Sequence, residues 1–88
     1  MRDIIITRQF KTDRKSILQK QDLEALKKVL GYLVDGKKLP DEYKEHHLIG
    51  KYNQHLECHI KPDLLLIYKI EGNTLTLYRI GTHAKLFK

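Results

Sequence analysis

Five histidines occur in this chain of 88 residues, and four of them stand near other residues able to do chemistry. His46 and His47 are adjacent in a polar stretch. His59 is followed closely by Pro62 and Asp63, and Arg79 precedes the run Gly81-Thr82-His83, after which come Leu86 and Phe87. Imidazoles, a carboxylate and a guanidinium are the parts needed to cleave RNA without a metal. One group must deprotonate a 2′-hydroxyl and another must protonate the leaving 5′-oxygen. Fixed positive charge must also meet the phosphate as negative charge builds. Histidine titrates near neutrality and serves in either proton-transfer role. Arginine offers phosphate oxygens a planar, permanently charged fork. A single histidine is more often a surface residue than a catalyst, so the pattern has meaning only if the fold makes these residues converge.

Hydrophobic periodicity predicts the elements that must position them. Three consecutive isoleucines within residues 3–7 are a β-branched run and read as a first strand. Thr7 then caps a predicted helix over residues 8–19, with Phe10 and Ile17 two turns apart on one side. Asp22 is the expected N-cap of a second helix, in which Leu23, Leu26, Leu30 and Leu33 form one stripe. Asp35-Gly36 ends it. After Pro40 the period becomes two. Residues 54–60 put Leu56, Cys58 and Ile60 on one face and His55, Glu57 and His59 on the other. Residues 64–70 are nearly all apolar, as in a central strand buried on both faces. Glu71-Gly72-Asn73 signals a three-residue turn, with room for a bulge, into a strand over residues 74–80. The expectation is one α+β domain over residues 1–88: a strand, two antiparallel helices, then a largely antiparallel sheet.

Composition bounds the partners. The apolar share of 41% is that of a folded domain. The run 64–68 is far too short to span a membrane, and MRDIIITRQF lacks the pattern of a secretory signal. A lone cysteine, Cys58, forms no internal disulfide, so a cytoplasmic protein is expected. Lys and Arg number seventeen against eleven Asp and Glu, a net +6. Residues 1–40 carry ten basic and five acidic residues, whereas residues 41–88 carry seven and six. Such a charge suits a polyanion such as nucleic acid, and equally a surface charged for solubility.

Three blocks of sequence narrow this further. Tyr43-Lys44-Glu45-His46-His47-Leu48-Ile49-Gly50 resembles the YKDHPLxG segment of YafQ-type toxins, a branch of the RelE/ParE superfamily. The stretch from Glu57 through His59, Pro62 and Asp63 to Tyr68 is similar to that family's H-x-x-P-D-x-[LI]-[LI]-[IV]-Y block. Arg79-Ile80-Gly81-Thr82-His83-Ala84-Lys85-Leu86-Phe87 resembles its R-x-G-[ST]-H-x-x-L-F terminus. The blocks come in family order and at family spacing, and together span essentially the whole chain.

The resemblance implies a curved, mainly antiparallel sheet of four to five strands packed on two N-terminal helices. It implies a toxin that cuts messenger RNA in the ribosomal decoding site, without a cofactor. A cognate antitoxin would neutralise it, and the complex of the two would bind operator DNA. Carried over by position, His46, His59, Asp63 and His83 are the proton-transfer and orienting groups, Arg79 binds the scissile phosphate, and Phe87 positions bases. His83 is the expected acid. His46 or His59 is the expected base, with Asp63 orienting or assisting it. Two positions depart from the pattern. Leu64 replaces the usual Trp and loses a stacking surface. His47 replaces the usual Pro, adding an imidazole that could contact substrate or compete with His46 as base. Under this reading Arg8, Lys11, Arg14, Lys15, Lys27 and Lys28 form a docking surface for ribosomal RNA.

Blander assignments stand beside these. Cys58 reads as core rather than nucleophile, and opposite-facing Cys58 and His59 make a poor zinc pair. Tyr43, Tyr52, Tyr68 and Tyr78 offer rings for stacking, although Tyr68 and Tyr78 are expected to pack within the hairpin. A ParE-like member would share the fold and act by binding alone, without needing the histidines.

Overall fold

The computed structural model describes residues 1–87. Along the chain come β1 (Asp3–Ile6), α1 (Arg8–Lys15), α2 (Lys20–Val34), β2 (His46–His47), β3 (Leu56–Lys61), β4 (Leu64–Glu71), β5 (Thr74–Gly81) and α3 (His83–Leu86). Two 3₁₀ turns lie at Asp41–Tyr43 and Gly50–Tyr52. The strands make one sheet in the order β1-β5-β4-β3-β2. β1 runs parallel to β5, and the other pairings are antiparallel. This is the expected α+β architecture, extended by a two-residue edge strand and a short third helix.

Thr7 caps α1 as its position predicts: its hydroxyl oxygen accepts from the Phe10 N–H at 3.0 Å. The same hydroxyl donates to the Tyr78 carbonyl at 2.8 Å, which fixes the start of the helix to β5. The helix stops at Lys15 instead of residue 19. The N–H groups of Ser16 and Ile17 turn back to the carbonyls of Asp13 and Arg14, and this tighter turn carries Ile17 into the core. α2 starts at Lys20, so Asp22 lies in its first turn and is not the cap. Its carboxylate instead accepts from Lys61 Nζ at 2.6 Å. Within the helix Leu26, Val29 and Leu33 are buried, while Leu23 and Leu30 lie at the margin. Gly36 follows with φ +72°, the left-handed conformation that glycine takes without steric cost.

Both long helices cover one face of the sheet, where Cys58, Leu66, Tyr68, Leu77 and Ile80 meet Phe10, Leu26 and Val29. β4 is central. Leu64, Leu66 and Tyr68 face the helices, and Leu65 and Ile67 face a smaller cluster with Tyr52 and Leu86 on the other side. That double burial is what the apolar run predicts.

The β4–β5 hairpin corrects two expectations. Glu71 pairs with Thr74, so the turn has two residues, with Gly72 at φ +57°. The irregularity lies further along: Ile67 pairs with Arg79 but Tyr68 pairs with Leu77, which leaves Tyr78 as the extra residue of a bulge. Leu77 and Ile80 both enter the helix-side core, so the two residues between them leave it. Tyr78 consequently does not pack within the hairpin; it is 37% exposed. Among the described residues no helix is long and apolar enough to cross a membrane.

Candidate active site

The sheet face opposite the two long helices carries the first group of residues. His46 pairs across the ladder with Glu57, and His59 follows Glu57 on the same face of β3. The Glu57 side chain is almost wholly buried, and its Oε1 lies 3.2 Å from His46 Nε2 and 3.7 Å from His59 Nε2. The two rings are 6.3 Å apart. His46 Nδ1 stands 2.8 Å from the Lys44 carbonyl, which only accepts, so Nδ1 carries a hydrogen while Nε2 faces Glu57. Glu57 Oε2 is buried with no hydrogen-bond partner among the described residues. His46 and His47 are therefore part of the sheet and not a polar approach to it. Alternation along β2 turns His47, which pairs with Leu56, to the other face.

Asp63, His83 and Phe87 come together where β3 turns into β4 and β5 ends, while Arg79 lies two residues before Gly81 on β5, paired with Ile67. Asp63 sits in the β3–β4 turn, and its Oδ1 accepts from the backbone N–H of His83 at 3.4 Å. Asp63 thus holds the start of α3 and not the ring of His46 or His59. Thr82 caps α3 by accepting from the Lys85 N–H, and buried Leu86 anchors the helix against Leu65 and Ile67. Gly81 permits this close seat, because a Cβ there would meet the Lys85 and Leu86 side chains at 3.3 and 3.4 Å. His83 is exposed, with its ring 4.9 Å from that of Phe87. Phe87 in turn meets Tyr52 edge-on at 5.7 Å. The pairings of His59 with Leu65 and of Leu65 with Gly81 set His59 two strand spacings from the strand leading to His83. That separation is about 10 Å.

Arg79 is fixed by a residue that sequence reasoning passed over. Its Nε and Nη2 donate to the two oxygens of Asp13 at 3.0 and 2.9 Å. Asp13 is 1% exposed and also accepts from the Ile80 N–H at 3.2 Å, with Lys85 Nζ at 3.7 Å. Burial pushes its pKa upward, but the bonds from Arg79 and Ile80 and the charges of Arg79 and Lys85 outweigh burial. The net effect holds the carboxyl below the usual range. The hydrogen bond to Asp13 likewise raises the pKa of Arg79. Nη1 takes no part in this fork, and the Tyr52 side chain is a second polar neighbour of the guanidinium. The signal for Asp13 was its spacing: Phe10, Asp13 and Ile17 share one helix stripe, and a carboxylate on a buried stripe needs a cation. Glu57 was legible in the same way, as an acid between two histidines on one strand face.

Other expected residues fall where their chemistry is plain. Arg8, Lys11, Arg14 and Lys15 on α1, and Lys27 and Lys28 on α2, are all exposed. Cys58 lies in the helix-side core, away from the face that carries His59. Burial and the charges of Glu45 and Glu57 push its thiol pKa up to about 12, which suits a core residue and not a nucleophile. Tyr68 is buried and donates its hydroxyl to Glu45.

This geometry has close counterparts. The family model described as bacterial toxin of type II toxin–antitoxin system, YafQ, matches residues 2–88. The mRNA interferase toxin YafQ of Escherichia coli K12 is 38% identical over 89 residues, covering 98% of this chain and 96% of that protein. The crystal structure of YafQ from E. coli BL21(DE3) superposes with a TM-score of 0.89 at 36% identity, covering all of both chains. The toxin in the crystal structure of the E. coli DinJ–YafQ complex gives 0.87 at 37% identity, again over both whole chains. A match along nearly every residue, in sequence and in fold, shows that the chain belongs to the YafQ family of bacterial type II toxin–antitoxin toxins.

Proposed function

We propose that this toxin is a metal-independent endoribonuclease that cuts messenger RNA on the ribosome. The observation that carries the reading is the buried Glu57 carboxylate facing both His46 and His59, on the sheet that also presents Arg79 and leads to His83. In this scheme His46 or His59, the two rings whose Nε2 faces Glu57, takes the proton of a 2′-hydroxyl, and in His59 the nitrogen turned away from Glu57 for that task is Nδ1. Glu57 orients the imidazole and stabilises the imidazolium that forms, as a buried carboxylate does for a catalytic histidine. The 2′-oxygen attacks the adjacent phosphorus, the bond to the 5′-oxygen breaks, and a 2′,3′-cyclic phosphate is left. His83 gives its proton to the departing 5′-oxygen. Arg79 meets the charge that develops on the phosphate, and Phe87 positions a neighbouring base.

The partners follow from the same reading. The E. coli relative's name, mRNA interferase, supports messenger RNA as the substrate. The E. coli DinJ–YafQ complex supports a cognate antitoxin, through which operator DNA would be reached. The exposed cations of α1 and α2 would grip ribosomal RNA, which sets the site of action in the cytoplasm. The scheme uses side chains alone and calls for no cofactor.

Primer extension on a defined message in a reconstituted translation system tests this, comparing wild type with His83→Ala and Glu57→Gln. Wild type should make discrete cuts that need ribosomes and survive EDTA at a magnesium level still supporting translation. Each variant should lose on the order of 10²-fold in cleavage rate. Cuts on naked RNA would keep the chemistry but remove the ribosome. Absence of cleavage with toxicity intact would overturn the reading in favour of a ParE-like toxin that acts by binding.

A further inference from the structure

The fifth histidine has no part in the chemistry above, yet it is carefully placed. His55 follows Gln54, whose φ of +73° is a left-handed conformation rare for a residue with a side chain. From there its ring lies 4.4 Å from that of Tyr78, the residue that the β5 bulge turns out of the core. Tyr52 joins the pair, with ring centroids 6.1 Å from Tyr78 and 6.4 Å from His55. Tyr52 also touches Phe87, so the rings form a linked series from His83 and Phe87 through Tyr52 to His55 and Tyr78. A cavity of about 430 Å³ adjoins this group, lined by Thr7, Gln9, Lys51, Tyr52, Tyr78 and Arg79. The residue assigned to the scissile phosphate therefore shares a cavity wall with the partly exposed ring of Tyr78.

We propose that His55 and Tyr78 form a stacking platform for a nucleobase of the RNA strand, next to the phosphate held by Arg79 and joined through Tyr52 to the subsite of Phe87. The inference rests on the RNA-cleavage reading and deepens it by assigning a second base subsite. The chemistry fits a base better than other ligands. Flat rings stack on aromatic faces whatever their sequence. Lys51, whose ammonium lies 5.5 Å from the Tyr52 ring centroid, supplies a cation for the next phosphate. The amide of Gln9 offers a donor and an acceptor to a base edge. A bulge that turns Tyr78 and Arg79 out together couples the two tasks, because one backbone irregularity sets both base and phosphate. With Leu64 buried at the position where the resemblance calls for Trp, this platform replaces a stacking surface that the chain lacks.

The test measures cleavage against ribosome concentration on a message sampling many codons, for wild type, Tyr78→Ala, Tyr78→Leu, Tyr78→Trp and His55→Ala. Tyr78→Leu keeps apolar bulk without a ring, so it replaces Tyr78→Ala should the smaller side chain impair folding, and thermal melting checks both. Loss of one stacked base should raise KM about fivefold to a hundredfold, with a smaller change in kcat. It should also level the preference for the base beside the cut. Tyr78→Trp should restore both. A folded Tyr78→Leu, His55→Ala double variant with wild-type KM and cut pattern would overturn the platform alone. A wild-type protein that cuts no RNA would overturn the platform together with the reading beneath it.

Discussion

Asp13 and Arg79 show how one buried ion pair can hold a helix to a strand and, under the proposed mechanism, fix the group that meets the phosphate. The carboxylate is buried on α1, and the guanidinium it fixes is turned out of the core beside it on β5. Removing the acid leaves a half-buried cation with no counter-charge, so Asp13→Asn should cost about 3–5 kcal/mol of stability. It should also release Arg79, so that cleavage falls by more than the loss of folded protein explains. Urea titration and cleavage by the refolded fraction check the two effects separately. The pH dependence has a definite sign. Because the folded pKa of Asp13 lies below its ordinary 3.8, its contribution is complete above that value and is lost as pH falls through the folded pKa. Acid titration of wild type against Asp13→Asn should therefore show the wild-type advantage shrinking below about pH 4. Unchanged acid sensitivity in the variant would contradict this assignment.

At the scale of elements, α1 is a device for holding the β5 bulge. Thr7 caps the helix and donates to the Tyr78 carbonyl, so the start of the helix and the irregularity in the strand share one hydroxyl. Thr7→Ala should lower stability by about 1–2 kcal/mol through the cap alone. If the bulge also relaxes, KM for RNA should rise; thermal melting together with steady-state cleavage would separate the two. Much of this level was legible in the sequence. The threonine cap, the leucine stripe, the Gly36 terminus and the doubly buried β4 all follow from local periodicity and turn chemistry. The hidden features depend on register. Whether Glu71-Gly72-Asn73 makes a two- or three-residue turn depends on which residues pair across the hairpin, and so does the site of the bulge. His46 looked like part of a polar loop because a two-residue edge strand has no periodicity to read. Asp22 looked like a cap because its real partner, Lys61, lies 39 residues away. Asp13 and Glu57 went unrecognised for a related reason: each has a partner on another element, Arg79 on β5 and His46 on β2.

The molecule as a whole presents two unlike surfaces. His46, His59, His83, Arg79 and the rings of Tyr52, Tyr78 and Phe87 lie on or beyond the sheet face that the long helices leave uncovered. The exposed cations of α1 and α2 lie on the helical layer. Charge reversal at Lys11, Arg14 and Lys15 should weaken ribosome binding and reduce the salt slope by about 0.7–0.9 for each phosphate no longer neutralised. Sedimentation with ribosomes at several salt concentrations measures this. A slope equal to that of wild type would exclude these residues from docking. The parallel pairing of β1 with β5 carries a further consequence, for the time at which the chain becomes dangerous. Asp13 is made 66 residues before Arg79, and Thr7 is made 71 before Tyr78. At cellular rates of synthesis Asp13 waits about 3–13 s for the guanidinium it will clamp. Over that interval the growing chain has neither Arg79 nor the strand that joins β1 to the rest of its sheet. Under the proposed function, the ribosome that makes the chain meets no completed site on it until β5 has been synthesised.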